Sequence, residues 1–492
     1  MEGVISLKEI IKESISRRVK EDVKYMKELL KDNSDIVFRE FRIHELNAAI
    51  VFIDGLADKS FISDYIMESV MHEESVKYHV DEIKERILAV ADMKEVDTLK
   101  DGINAVLSGE TLLLIDGLRV GYVIATRAWP ARGVSEPSGE TVIRGAREGF
   151  TETMRFNTAL VRRRVRDTRL RVVPKSLGTR SKTDVVVMYI EDIVNKSIVD
   201  ELNKRVDNIE IDAVLDSGYV EQLIEDNPFS LFPQIQSTER PDVVAAALYE
   251  GRVAMLVDNS PFAIIAPATL PTLFQSPDDY YQRWINASLM RILRTIAVVL
   301  SLILPALYVA ITSYHTAIIP SRLAYSIAAS REGVPFPSVV ETLIMEFSFA
   351  LLLEAILRLP RPIGSTIGIV GGLIIGQAAV SAGIVSPLMI IITSLTAITE
   401  FITPNYEVSI ALRCTRFLLI IASSVLGLYG IMLGLILLLT HLLRLKSFGI
   451  PYLAPAVSPD ANDLKDMFIK LPLRYFKKRP NYMKTVDKIR QK

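Results

Sequence analysis

From Thr295 to Tyr314 the chain reads TIAVVLSLILPALYVAITSY, twenty residues without a charge. At 1.5 Å per residue a helix of that length covers about 30 Å, the thickness of a bilayer's hydrocarbon core. Pro305 inside the run is tolerable there, because neighbouring helices re-satisfy the backbone groups it frees. Three more apolar runs follow, at 363–384, 386–404 and 417–440. Charge is dense before about residue 290 and sparse from there to about 443, so the net charge of −1 averages two unlike halves. A near-neutral total also argues against a nucleic-acid binder, which needs a basic body. The halves read as an α/β soluble N-terminal region followed by an all-α polytopic membrane domain at 273–446.

The second run is rich in small residues. Gly364 with Gly368, and Gly372 with Gly376, are GxxxG pairs, a spacing that lets helix backbones approach closely in lipid. A central packing position is expected for this helix. The segment 318–361 carries Glu341, Glu346, Glu354 and Arg358 among apolar residues. It reads either as an interfacial amphipathic helix or as a re-entrant element lining a protein interior, because carboxylates are too costly on a lipid-facing surface. Glu341, Glu346, Glu354, Gln377 and Ser381 are candidates for lining an ion path, and Glu354 and Arg358 are spaced to pair. Arginines precede the first span, and the tail at 447–492 is strongly basic. Both ends are therefore expected on the cytoplasmic side, with four spans and an even number of crossings. The tail's charge also suits anionic headgroups.

The soluble half contains a repeat. FIDGLADKSFISD at 52–64 aligns without gaps with YIEDIVNKSIVDE at 189–201. Each copy follows an apolar strand-like run, and Asp or Asn before Lys-Ser suits a helix start. Each copy also has a later hairpin signal, Asp116-Gly117 and Asp258-Asn259, between apolar stretches. Two similar α/β subdomains are expected at 31–127 and 183–272, after a charged amphipathic helix at 1–30 that lacks the apolar core of a signal peptide. A basic helical connector at 128–182 joins them. Its Arg162, Arg163, Arg164 and Arg166 either solvate a helix face or dock acidic groups of a neighbouring subunit or the membrane surface.

No catalytic set emerges: the chain has no P-loop, dinucleotide fingerprint, GxSxG or HExxH, and an enzyme is not expected. One cysteine, Cys414, and five scattered histidines offer no metal-site spacing. No cofactor is implied.

Several long stretches resemble a known family: EPSGETVIRGAREGFTETMRFNTALVRRRVRD (136–167), STERPDVVAAALYEGRVAMLVDNSPFAIIAP (237–267), SPDDYYQRW (276–284), LPALYVAITSYHTAIIPSRLAYSIAASREGVPFP (304–337), GIVGGLIIGQAAVSAGIVSP (368–387) and SFGIPYLAP (447–455). They are similar to the A subunits of GerA-type spore germination receptors. A related branch, the stage V sporulation protein AF group of accessory proteins, shares length and architecture; VDNSPFAIIAP followed by SPDDYY looks closer to the receptor branch. The resemblance implies residence in the inner membrane of dormant endospores. It implies work alongside a permease-like B subunit and a lipoprotein C subunit, and a homo-oligomeric, nutrient-gated channel for monovalent cations. The rival classes are a non-conducting scaffold and a secondary transporter; the latter should show an inverted hydropathy repeat.

Overall fold

The computed structural model describes residues 14–43, 45–68, 92–128, 136–137, 139–359, 371–372, 374, 376–457 and 463–491. They divide into two compact units: Met1–Glu225 with Ile235–Pro267 and Lys478–Lys492, and Asp226–Gln234 with Ala268–Lys477.

The first unit holds two copies of one arrangement. The first copy runs α1 (Val19–Leu29), β1 (Ile36–Ile43), β2 (Leu46–Ile53), β3 (Met93–Val96), α2 (Leu99–Leu107), β4 (Thr111–Ile115) and β5 (Gly121–Ile124). The second runs α3 (Met154–Arg164), β6 (Leu170–Leu177), β7 (Thr183–Ile190), α4 (Lys196–Asp207), α5 (Ser217–Ile224), β8 (Gln236–Thr238), α6 (Pro241–Tyr249), β9 (Val253–Val257) and β10 (Ala263–Ala266). Each copy forms a five-stranded antiparallel sheet, in the orders β1-β2-β4-β5-β3 and β6-β7-β9-β10-β8. In β2, Ala49, Val51 and Ile53 enter one core beneath α1 and α2, while Ala48, Ile50 and Phe52 enter another on the opposite face. A strand covered on both faces needs no polar residues, hence its unbroken apolar run.

The turn chemistry explains why the copies match. Asp58 and Asn195 cap the helices that follow β2 and β7, accepting hydrogen bonds from Phe61 N at 3.0 Å and Ser197 N at 3.1 Å. Gly117 and Asn259 take positive φ, 91° and 67°, in the two hairpins. The aspartates before them reach back: Asp116 accepts from Val19 N at the start of α1 at 2.7 Å, and Asp258 from Met154 N at the start of α3 at 3.0 Å. The second subdomain thus begins with α3 and β6, inside the stretch 128–182 that the sequence assigns to a connector. The dense arginines there hide an ordinary strand, LRVVPKSL, which pairs with β7 along its full length.

The second unit is a helical bundle: α7 (Trp284–Ser313), α8 (Ser321–Arg331), α9 (Ser338–Arg358), helical residues at 371–372, 374 and 376–381, α10 (Pro387–Glu400), α11 (Tyr406–Leu426) and α12 (Leu428–Arg444). By length and apolarity α7 and α11 are long enough to cross a bilayer; α10 and α12 are shorter apolar helices of 14 and 17 residues. The described part of the segment 318–361 forms α8 and α9, and α9 lies antiparallel to α7: Ser338 meets Ser313 at 2.6 Å and Glu341 meets Tyr308 at 2.5 Å. The run 417–440, which reads as one span, contains a break. Gly427 takes φ 60° and ψ −136°, and α11 and α12 fold back on each other there. A side chain at Gly427 would meet the His315 ring at 2.8 Å. Gly430 faces Ala422, and Gly434 faces Leu419, so glycine is what lets the two helices close on each other. Hydropathy cannot register such a turn, because Leu426-Gly427-Leu428 is apolar throughout.

Candidate functional site: buried ion pairs in the helical bundle

In the first unit, α3 serves both subdomains. Ala159 enters the core of the first, and Leu160 and Val161 that of the second. Gly55, at φ 86°, lets the first subdomain approach the helix: a Cβ there would sit 3.1 Å from Arg155 O. Arg162 is wholly buried and forms a two-pronged pair with Asp35 at 2.9 Å, with Asn33 at 2.8 Å. Arg163 and Arg164 both bond Glu148. Burial opposes ionisation of Glu148, but these two guanidiniums hold its carboxyl below the usual value. Arg166 is exposed and donates to Arg163 O at 3.3 Å. Of the four expected docking arginines, Arg162, Arg163 and Arg164 are thus held in ion pairs within the chain.

In the second unit the structure brings together acids and bases that lie far apart in sequence. Arg416, on α11, is 3% exposed and is the hub. Its Nε lies 2.9 Å from Glu346 Oε2 on α9, its Nη2 donates to Glu400 Oε2 at the end of α10 at 2.9 Å, and its Nη1 donates to Ser301 O on α7 at 3.2 Å. Arg413, one turn away, donates from Nε to Glu400 Oε1 at 2.8 Å. Two carboxylates and two guanidiniums make the group neutral. Counting along α7 from Thr295, Ser301 is about 9 Å into the charge-free run. A lone charge at such a site carries a penalty of several kcal/mol, which the partners offset.

About 10 Å further along α7 lies a second polar group. Glu341 is fully buried. It accepts from Tyr308 OH at 2.5 Å and from Ser386 N at 3.0 Å, and Arg331 Nε lies 3.3 Å away. Ser386 Oγ caps α10 by accepting from Met389 N at 3.3 Å.

The remaining expected site residues are placed differently. Glu354 is exposed and pairs with Arg358 at 2.6 Å, as its spacing indicates. Gln377 and Ser381 are exposed. Gly376 is buried, and a Cβ there would meet Ile390 at 3.6 Å; among the described residues none lies within 4 Å of a Cβ at Gly372. Gly364 and Gly368 lie outside the described residues. Arg413 and Arg416 were not expected as site residues. Their signal is two arginines three apart, on one face of an otherwise apolar helix. Among the described residues no three His, Cys, Asp or Glu side chains are placed to hold a metal ion.

Comparison with known proteins covers nearly the whole molecule. Residues 24–482 match the family model described as Bacillus/Clostridium GerA spore germination protein. Spore germination protein GerLA of Bacillus cereus is 44% identical, over 95% of this chain and 96% of that protein. An uncharacterised membrane protein of Bacillus subtilis, YfkQ, is 43% identical over 95% of this chain and 91% of that protein. The crystal structure of the N-terminal domain of the A subunit of the Bacillus megaterium spore germinant receptor GerK3 covers 53% of this chain and 98% of that one, at 37% identity and a TM-score of 0.42. With a family model matched from residue 24 to 482 and a relative of this identity aligned end to end, the chain belongs to the GerA family of spore germination proteins.

Proposed function

We propose that this chain is the A subunit of a nutrient-sensing germinant receptor and forms an oligomeric, ligand-gated conduit for monovalent cations in the spore inner membrane. Its partners in this reading are a permease-like B subunit, a lipoprotein C subunit and further copies of itself. The observation that carries the reading is the face of the helical stretch 371–381. Gln377 and Ser381, four residues apart and so on one helical face, are exposed there with Ile374 and Ala378, although the stretch belongs to an apolar bundle. Polar and small residues turned outward suit neighbouring copies and a wet path better than lipid tails. The buried pairs around Arg416 and Glu341 then brace each subunit instead of carrying ions.

Orientation follows the same reading. In this reading α9 also crosses and α11 and α12 cross separately, which makes six passes where the sequence suggests four. The number stays even, so both ends still face the spore core. Arg413 and Arg416, paired inside the bundle, no longer count as loop charge against that orientation. A ligand biases such a conduit only through its differential affinity for open and closed states.

The test is thiol modification in vesicles holding the chain with its companion subunits. In a Cys414→Ser background, a cationic thiol reagent on Ser381→Cys is expected to block nutrient-triggered cation flux, and the same reagent on Leu351→Cys to leave it unchanged. Flux indifferent to modification at residue 381 would remove this face from the path.

A further inference from the structure

Beyond the bundle's interior, one surface has a composition that points to a ligand. The segment after α12 returns to the start of α7 and is pinned there by buried polar contacts. Ser288 Oγ donates to Lys470 O at 3.0 Å and accepts from Lys470 N at 3.1 Å. Lys470 Nζ donates to Asp279 O at 2.6 Å. Asp466 accepts from Arg291 at 2.7 Å and from Tyr280 OH at 2.6 Å. Every acid of 463–477 is thus turned inward: Asp463 is buried and Asp466 is paired. What faces outward is apolar and basic. Phe468, Ile469, Leu473 and Tyr475 are about half exposed, and Arg474 and Lys477 are exposed beside them.

The height of this surface matters. Ser288 is seven residues before Thr295, so the segment sits about 10 Å outside the start of the charge-free run. Headgroup layers add roughly 5–8 Å on each side of a 30 Å hydrocarbon core, so the anchor at Ser288 lies just beyond the outer edge of that layer, with the layer within a side chain's reach. The adjoining turns of α7 expose Trp284, Ile285 and Leu289, which continue without a break into the exposed Ile292, Leu293 and Ile296 of the same helix. Aromatic rings and basic side chains at that level, over an apolar helix face, are what a membrane interface selects. A soluble protein partner has no reason to match the depth of the apolar run.

We propose that residues 464–477, together with the first turns of α7, form an interfacial foot that binds anionic phospholipid. Phe468, Ile469, Leu473 and Tyr475 enter the headgroup layer, while Arg474 and Lys477 hold the lipid phosphates. The foot rests on the reading of α7 as a membrane span.

Two tryptophans, Trp129 and Trp284, occur in the chain. With both replaced by phenylalanine, a single reporter, Phe468→Trp or Val299→Trp, is introduced into the full-length chain. Each variant is reconstituted in mixed phosphatidylcholine and phosphatidylglycerol vesicles brominated near the glycerol or near mid-chain. The Phe468→Trp reporter is expected to be quenched chiefly by shallow bromine, and Val299→Trp by deep bromine. When only one lipid is brominated, phosphatidylglycerol is expected to quench Phe468→Trp more strongly, and Lys477→Gln to lower that preference about fivefold while leaving shallow quenching in place. Val299→Trp quenched with Phe468→Trp untouched by lipid would overturn the foot alone, and access to aqueous iodide would then tell open water from a protein cover. Equal quenching by the two brominated lipids would overturn the anionic preference. Neither reporter quenched would overturn the span on which the foot rests.

Discussion

Replacing Arg416 by methionine keeps most of the stem's volume and removes the one group that touches both Glu346 and Glu400. The cluster then changes from two charges of each sign to an excess carboxylate. Glu400 keeps Arg413, but Glu346, 5% exposed, loses the partner recorded for it. Breaking a buried pair on one side costs about 3–5 kcal/mol. For a unit of this size that corresponds to roughly 10 °C in Tm. The exposed Glu354–Arg358 pair is the internal comparison, since a surface pair four residues apart contributes only about 0.3–0.5 kcal/mol. Thermal unfolding of the detergent-solubilised chain should therefore separate Arg416→Met from Glu354→Gln by an order of magnitude in free energy. Adding Glu346→Leu to Arg416→Met restores neutrality and should recover most of the loss. A single variant as stable as wild type, or a double variant no better than the single, would refute the claim that the cluster is held by mutual neutralisation.

Further outcomes follow from other residues. Gly427→Ala places a Cβ 2.8 Å from the His315 ring at a backbone angle that other residues resist, so a loss of about 1–3 kcal/mol is expected in the same unfolding assay. Gly376→Leu exceeds the 3.6 Å gap to Ile390 and should impair assembly or gating, read as altered cation release from spores carrying it. Burial pushes the Glu140 carboxyl up to about 7 from the usual 4.5, against hydrogen bonds from Thr238 and Glu239 N that lower it. Its folded value lies above its unfolded one, so its contribution is whole below about pH 4.5 and declines as pH rises through 7. The loss amounts to about 3 kcal/mol across that window. Glu140→Gln keeps an acceptor for both donors and should flatten the pH dependence of unfolding between pH 5 and 7, roughly the interval between those two values.

The sequence was most legible where one physical force dominates. Asp58 and Asn195 cap helices, and Asp116-Gly117 and Asp258-Asn259 turn hairpins, because each depends on a few neighbouring residues. The apolar run of α7 is equally local. Reading failed where the partner is remote. Arg162 looks like a solvated charge until Asp35, 127 residues away, is brought to it. The pairing of Glu346 with Arg416 is hidden in the same way, because the two lie on different helices 70 residues apart in sequence. The break at Gly427 was hidden for a different reason. A tight turn between two apolar helices changes the number of helices without changing hydropathy, and a lone glycine does not announce which φ it will take.

In the proposed reading, conduction is by subunits built around the outward face of 371–381. The most direct measurement is efflux of a monovalent cation from loaded proteoliposomes containing the chain and its companion subunits, recorded before and after a screen of small nutrients is added. Vesicles that hold their cation until one nutrient arrives, then release it, and that lose this response when Gly376→Leu replaces the wild-type chain, are expected. Vesicles that stay ion-tight under every nutrient that germinates the intact spores would contradict the proposal.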